Sequence, residues 1–226
     1  MPDTATQKRW RKPHNASADS AKRAARQLRD FARVVPTGVA SLATDLNARD
    51  HDCWIHSQRV QLLAMGIAAR LNFPQDMIDD VGLAGALHDI GKIGVPAQLL
   101  RQGKPLSNDQ YLQVMQHTVI GERLLSPMLG DRPSVLSAVR SHHERVDGNG
   151  LPDGLKSGDI PIVARIIAVA DSVDAMTHQR PYRKRALTIE LAIRELEKWA
   201  GSQFDETCVR VFVEWSGENL AERLVS

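Results

Sequence analysis

VGLAGALHDIGKIGVP, residues 81–96, opens as an apolar run and breaks at an ionisable pair. Val81 to Leu87 are apolar or small, too rich in Ala and Gly for an exposed face, and Gly91 closes the run, so the segment reads as a buried helix with a defined end. His88 and Asp89 at its close are therefore driven into what should be core. A carboxylate buried beside an imidazole without a strong partner costs on the order of several kcal/mol. A metal ion would supply that partner, and the fold reading follows: a helical core built around polar residues that need a cation.

The rest of the chain carries the same helical period. Apolar residues recur at three- and four-residue steps in RVQLLAMGIAARL (59–71), YLQVMQHTVIGERLL (111–125) and IELAIRELEKWA (189–200), and no segment alternates with period two. RIIAVADSVDAM (165–176) could begin as a buried strand, but its length and its alanines favour a buried helix. Breaks are expected at NFPQD, GKIGVP, GKPLSND and the long stretch DGNGLPDGLKSGDIP (147–161), with Ser107 and Asp109 as helix-start residues. The expected fold is all-α, a helical bundle with one long Gly-rich loop.

Outside the N-terminal region the histidines are 51, 56, 88, 117, 142, 143 and 178, most of them within or at the ends of expected helices. Asp171 interrupts the apolar run RIIAVAD as Asp89 interrupts the earlier one. Imidazole nitrogens and carboxylate oxygens without thiolates argue against a structural zinc site. His56, His88, His117, His142 and His143 with Asp89 and Asp171 are more donors than one ion requires. They suit two, with Asp89 able to bridge through its two oxygens. Two ions about 3.5–4 Å apart would activate a water and clamp both sides of a phosphorus centre.

Composition bounds the alternatives. A chain of 226 residues suits one domain plus a tail. Cys53 and Cys208 are too few for a disulfide framework, no apolar run approaches the roughly 20 residues needed to span a bilayer, and the N-terminus lacks the apolar stretch of a signal peptide. A cytoplasmic setting is expected. Net charge is only +2, yet residues 1–29 hold Lys8, Arg9, Arg11, Lys12, Lys22, Arg23, Arg26 and Arg29 against Asp3 and Asp19. This basic arm is expected to be a partly disordered or helical, solvated tail ahead of a domain spanning 30–226. A nucleic acid is not the expected partner, because basic runs are commonly solvated faces.

In order and spacing the chain resembles the HD-GYP phosphodiesterases, a branch of the HD metal-dependent phosphohydrolases. The resemblance runs over residues 49–212 through HSQRV (56–60), LHDIGKIGVP (87–96), MQHTVIGERLL (115–125), HHERVDGNGLP (142–152), IPIVARIIAVADSVDAMTHQRPYR (160–183) and AGSQFDETCV (200–209). It implies a helical domain with two or three divalent ions, iron or manganese, that hydrolyses cyclic di-GMP to pGpG, GMP or both. It assigns His56, His88, Asp89 and Asp171 to one metal and His117, His142 and His143 to the second, with Asp89 bridging. Lys92 is implied to reach a phosphate or the attacking water, and Arg180 and Arg183 to lie near substrate phosphates. Asp174 is expected at the substrate or as an acceptor that orients a ligand histidine; Glu144 and Asp147 recur in the pattern without an assigned role.

Two departures from the pattern stand out. Leu151 replaces the tyrosine of the family signature at a position implied to contact substrate, and Asp52 stands where members with a third metal place a longer glutamate. The resemblance leaves two alternatives to cyclic di-GMP hydrolysis. One is hydrolysis of another cyclic dinucleotide, and the other is a non-catalytic metal-binding module that contacts signalling partners such as diguanylate cyclases. No sensory domain is evident, and the oligomeric state is left open.

Overall fold

The computed structural model describes residues 35–102, 104–178 and 186–217. The basic arm and two of the expected site residues, Arg180 and Arg183, lie outside them. Ten α-helices occur among the described residues: α1 (Thr37–Arg49), α2 (His51–Arg70), α3 (Gln75–Leu87), α4 (Ala97–Leu100), α5 (Asn108–Met115), α6 (His117–Leu129), α7 (Pro133–Ser141), α8 (Ile162–Thr177), α9 (Ile189–Trp199) and α10 (Glu206–Ser216). Short 3₁₀ turns cover Ile90–Gly94 and Ser157–Asp159. Among the described residues, extended pairing is confined to two isolated bridges, Asp147 with Lys156 and Ala200 with Phe204.

The chain is all-α, as its periodicity requires. α2 is the central element and packs against α1, α3, α8 and α10. Trp54, Val60, Ala64 and Ile67 on α2 are fully buried, as are Val81, Ala84 and Leu87 on α3 and Ile166, Ile167, Val169 and Ala170 on α8. The segment that could have begun as a strand is thus a helix buried on most sides, where Ala allows close neighbours. Local chemistry sets the helix starts. Asp50 caps α2 by accepting from Cys53 N at 2.9 Å. Ser107 opens α5 in a reciprocal capping box with Gln110, whose side chain returns to Ser107 N at 3.0 Å.

Gly91 decides how the helices converge. A Cβ there would lie 1.9 Å from His117 O and 2.5 Å from Gly121 N, so only glycine lets the turn after α3 rest on the backbone of α6. That contact brings Asp89 to His117.

Candidate metal centre

His56 projects from the second turn of α2, whereas His88, His117, His142 and His143 sit at helix joints. His88 follows α3, His117 opens α6 directly after α5, and His142 and His143 follow α7. Three of these four share one local device. Nδ1 of His88 lies 2.8 Å from Gly85 O, Nδ1 of His117 2.8 Å from Val114 O, and Nδ1 of His142 2.8 Å from Val139 O. Each acceptor belongs to the last turn of a helix, where carbonyls lack intrahelical partners. Donating to that carbonyl fixes the tautomer and leaves Nε2 as the free ligand atom, a support that metal-binding histidines commonly use.

The Nε2 atoms converge on Asp89. Its Oδ2 is 3.4 Å from His88 Nε2 and 3.9 Å from His56 Nε2, while Oδ1 is 3.3 Å from His117 Nε2. Around it the donors fall into overlapping groups whose ligand atoms all lie within 4.8 Å of one another: His56, His88 and Asp171; His117, His142 and His143; and His88, Asp89 and His142. His56 Nε2 is 3.0 Å from Asp171 Oδ1, and His117 Nε2 is 3.3 Å from His142 Nε2. The seven residues expected as ligands are therefore brought together from five elements.

Whether this cluster suits a cation can be judged from its own atoms. His88 Nε2 is buried with no hydrogen-bond partner, an orphan that an ion would satisfy. Burial lowers the pKa of His117 to about 3 and holds those of His142 and His143 below the usual histidine range, so these rings are neutral and their lone pairs available. Neighbouring imidazoles push His142 further down. For Asp89, burial opposes ionisation, but Lys92, His88 and His117 outweigh it and keep the carboxylate charged. The same competition raises Lys92: burial disfavours the ammonium, and Asp89 restores it across a 2.5 Å contact. The neutral imidazoles of His117, His142 and His143 beside the ionised Asp89 suit a divalent metal ion.

The remaining expected residues divide. Asp174 is fully buried and bonded to His56 Nδ1 at 2.6 Å, to Arg59 Nη2 at 2.9 Å and to His178 Nδ1 at 3.0 Å. Of its two expected roles, this burial and the contact with His56 favour the acceptor that orients a ligand histidine. Asp52 is exposed in the first turn of α2 and enters none of the donor groups found among the described residues. Leu151 is part-exposed beside the cluster and donates its backbone N–H to His143 O at 3.2 Å. Glu144 is buried and accepts from the backbone of Asp153, Gly154 and Leu155 at 2.7–3.1 Å, so it shapes the long loop from within. Asp147 pairs with Arg145 at 2.7 Å in the same loop.

Sequence reasoning missed three neighbours. The Cys53 thiol lies 3.6 Å from Asp89 Oδ2, and burial raises its pKa so that it remains a thiol. Arg59 and His178 hold Asp174. The available signal was helical spacing, since Cys53 and Arg59 stand three residues either side of His56, and His178 four after Asp174.

Comparison with known proteins identifies the family. Residues 42–208 match the model of the HD domain family. Over 174 residues the chain is 38% identical to a cyclic di-GMP phosphodiesterase of Thermotoga maritima, covering 75% of this chain and 46% of that protein. A 3′3′-cGAMP-specific phosphodiesterase of Vibrio cholerae is 34% identical over 142 residues, covering 63% of this chain and 33% of the relative. Among solved structures, an HDG"Y"P protein from Bdellovibrio bacteriovorus superposes with a TM-score of 0.59 at 18% identity, covering 72% of this chain and 51% of that one. The chain spans less than half the length of these two curated relatives.

Proposed function

Since the chain belongs to the HD domain family, on its HD-GYP branch, we propose that it is a metal-dependent phosphodiesterase that hydrolyses cyclic di-GMP to pGpG, GMP or both. The observation that carries this reading is the division of Asp89: one oxygen faces His56 and His88, the other His117. A carboxylate so placed is suited to join two cations. His56, His88, Asp89 and Asp171 would hold one, and Asp89, His117, His142 and His143 the other, with iron or manganese suited to the nitrogen and oxygen donors. Divalent ions in such a site supply charge stabilisation at phosphorus and an activated water.

The chain's own groups supply the remainder. Lys92 keeps its ammonium beside Asp89, where a phosphoryl oxygen would gain a charge-assisted hydrogen bond. Asp174 fixes the His56 ring through Nδ1 and leaves Nε2 toward the cluster. Leu151 sits where a loop residue could cover part of the substrate. A cytoplasmic setting suits this substrate, and no helix among the described residues is long and apolar enough to cross a membrane.

The Vibrio cholerae relative favours a second reading, a different cyclic dinucleotide such as 3′3′-cGAMP. Anaerobic incubation of metal-analysed protein with cyclic di-GMP and with 3′3′-cGAMP, followed by separation of linear dinucleotide and mononucleotide products, tests both. Turnover of cyclic di-GMP with the higher kcat/KM is the expected result. Preference for 3′3′-cGAMP would replace the substrate, and hydrolysis of neither would favour a metal-binding interaction module.

A further inference from the structure

A cavity of about 120 Å³ lies beside Lys92 and is lined by Arg49, Asp50, Lys92, Ile93 and Arg101 among others, with none of the seven candidate ligand residues in its wall. One water takes up about 30 Å³ of liquid, so a group of several heavy atoms has room there. Two lining residues connect it to the centre. Lys92 contacts Asp89 Oδ2, and Asp50 caps Cys53, whose thiol also faces Asp89.

The charge of this wall is unbalanced. Three cationic residues line the cavity against one carboxylate, and Asp50 already accepts the Cys53 N–H. Lys92 is committed to Asp89, but Arg49 and Arg101 have no carboxylate partner among the described residues. Arg49 instead donates to Ile93 O, and Arg101 Nη2 donates to Arg49 O at 3.1 Å. Arg59, Arg132, Arg140, Arg145, Arg165 and Arg210 pair with acidic side chains, whereas the exposed Arg123 and Arg194, which also lack such a pair among the described residues, line no cavity with a second arginine. Carbonyl contacts orient a guanidinium without neutralising it, and donors remain on each for an anion.

We infer that Arg49 and Arg101 form a second phosphate subsite, which holds the phosphodiester that is not being cleaved while the metal centre engages the other. The inference rests on the reading of the chain as a cyclic dinucleotide hydrolase, since such a substrate carries two phosphates and the centre accounts for one; Arg180 and Arg183, implied near the phosphates by resemblance, lie outside the described residues. A guanidinium fork suits paired phosphate oxygens. The subsite would also retain pGpG after the first cut by its phosphates, which favours a second round of hydrolysis.

Titration calorimetry on the full chain loaded with manganese separates the outcomes. The probes are pGpG, which has two phosphates, and bis(p-nitrophenyl) phosphate, which has one. Arg101→Ala is expected to weaken pGpG about tenfold, the loss of one charge-assisted contact, and to weaken the small diester far less. Arg49→Lys, which keeps the charge and loses the fork, should act in the same direction with a folded helix content verified by circular dichroism. An unchanged pGpG affinity in both variants, an equal loss for both probes, or no pGpG binding by the wild type would each overturn the subsite. Cyclic di-GMP turnover measured on the same wild-type preparation judges the proposed function separately, because the ratio of the two affinities does not depend on it.

Discussion

His56 Nδ1 lies 2.6 Å from Asp174 Oδ2, 118 residues apart in sequence and both buried. The contact assigns the proton of His56 to Nδ1 and leaves Nε2, 3.0 Å from Asp171 Oδ1, to meet a cation. Asp174→Asn keeps the shape but removes the charge that also pairs Arg59. Metal affinity measured by competition with a chelator is expected to fall about 10–100-fold, the range for lost support behind a ligand histidine. Unchanged affinity would leave Asp174 a structural partner of Arg59 and His178.

Asp89→Ala removes the group that faces both halves of the cluster and leaves Lys92 without its 2.5 Å partner. Elemental analysis should show loss of stoichiometric metal, and hydrolysis should be abolished. Near-normal metal content with turnover would reject the joined two-ion arrangement.

Gly91→Ala places a methyl group against His117 O and Gly121 N, both backbone atoms that cannot step aside. Destabilisation at or above the ~1–3 kcal/mol typical of overpacking is expected in chemical denaturation. Because the same turn carries Asp89, metal affinity should fall with stability. A variant as stable as the wild type would mean that α6 shifts without cost.

Metal-free protein should lose stability as pH falls from about 6.5 toward 3. Unfolded histidines bind protons near 6.5, whereas native His117 does so only near 3, and His142 and His143 are also lowered. Between these values the unfolded state binds more protons, so acid favours unfolding by up to about 1.4 kcal/mol per pH unit for each such histidine. His88, whose pKa is raised against its burial by Asp89, opposes part of this. Urea unfolding at pH 7.5 and 5.5 in the presence of chelator measures the slope; a flat profile would show that the rings are charged in the native state.

Leu151→Tyr adds an aromatic face at a loop position tied to His143. If that position covers a base, KM for cyclic di-GMP should drop a few-fold with little change in kcat, the pattern of uniform binding. A null effect on both constants would place the loop away from substrate. A rise in kcat alone would point to loop closure as the controlled step.

Helical period, the buried His88–Asp89 pair, Asp171 in its apolar run and the spacing of the other histidines were all legible in the linear chain, because each is a local violation of an apolar pattern. Helix starts at Ser107 and the helical state of 165–176 were legible for the same reason, through caps and side-chain size. Tertiary structure alone decided the rest. Asp174, expected at the substrate or behind a ligand histidine, is buried under His56 and Arg59 of one helix and His178 at the end of another. Cys53 became a neighbour of Asp89 only when α2 met the turn after α3. Arg49 and Arg101, 52 positions apart, came to line one cavity through the path of the chain between them. Local sequence sets which residues resist burial, whereas which of them meet depends on close backbone approaches such as Gly91 on His117, and those exist only once the helices have packed.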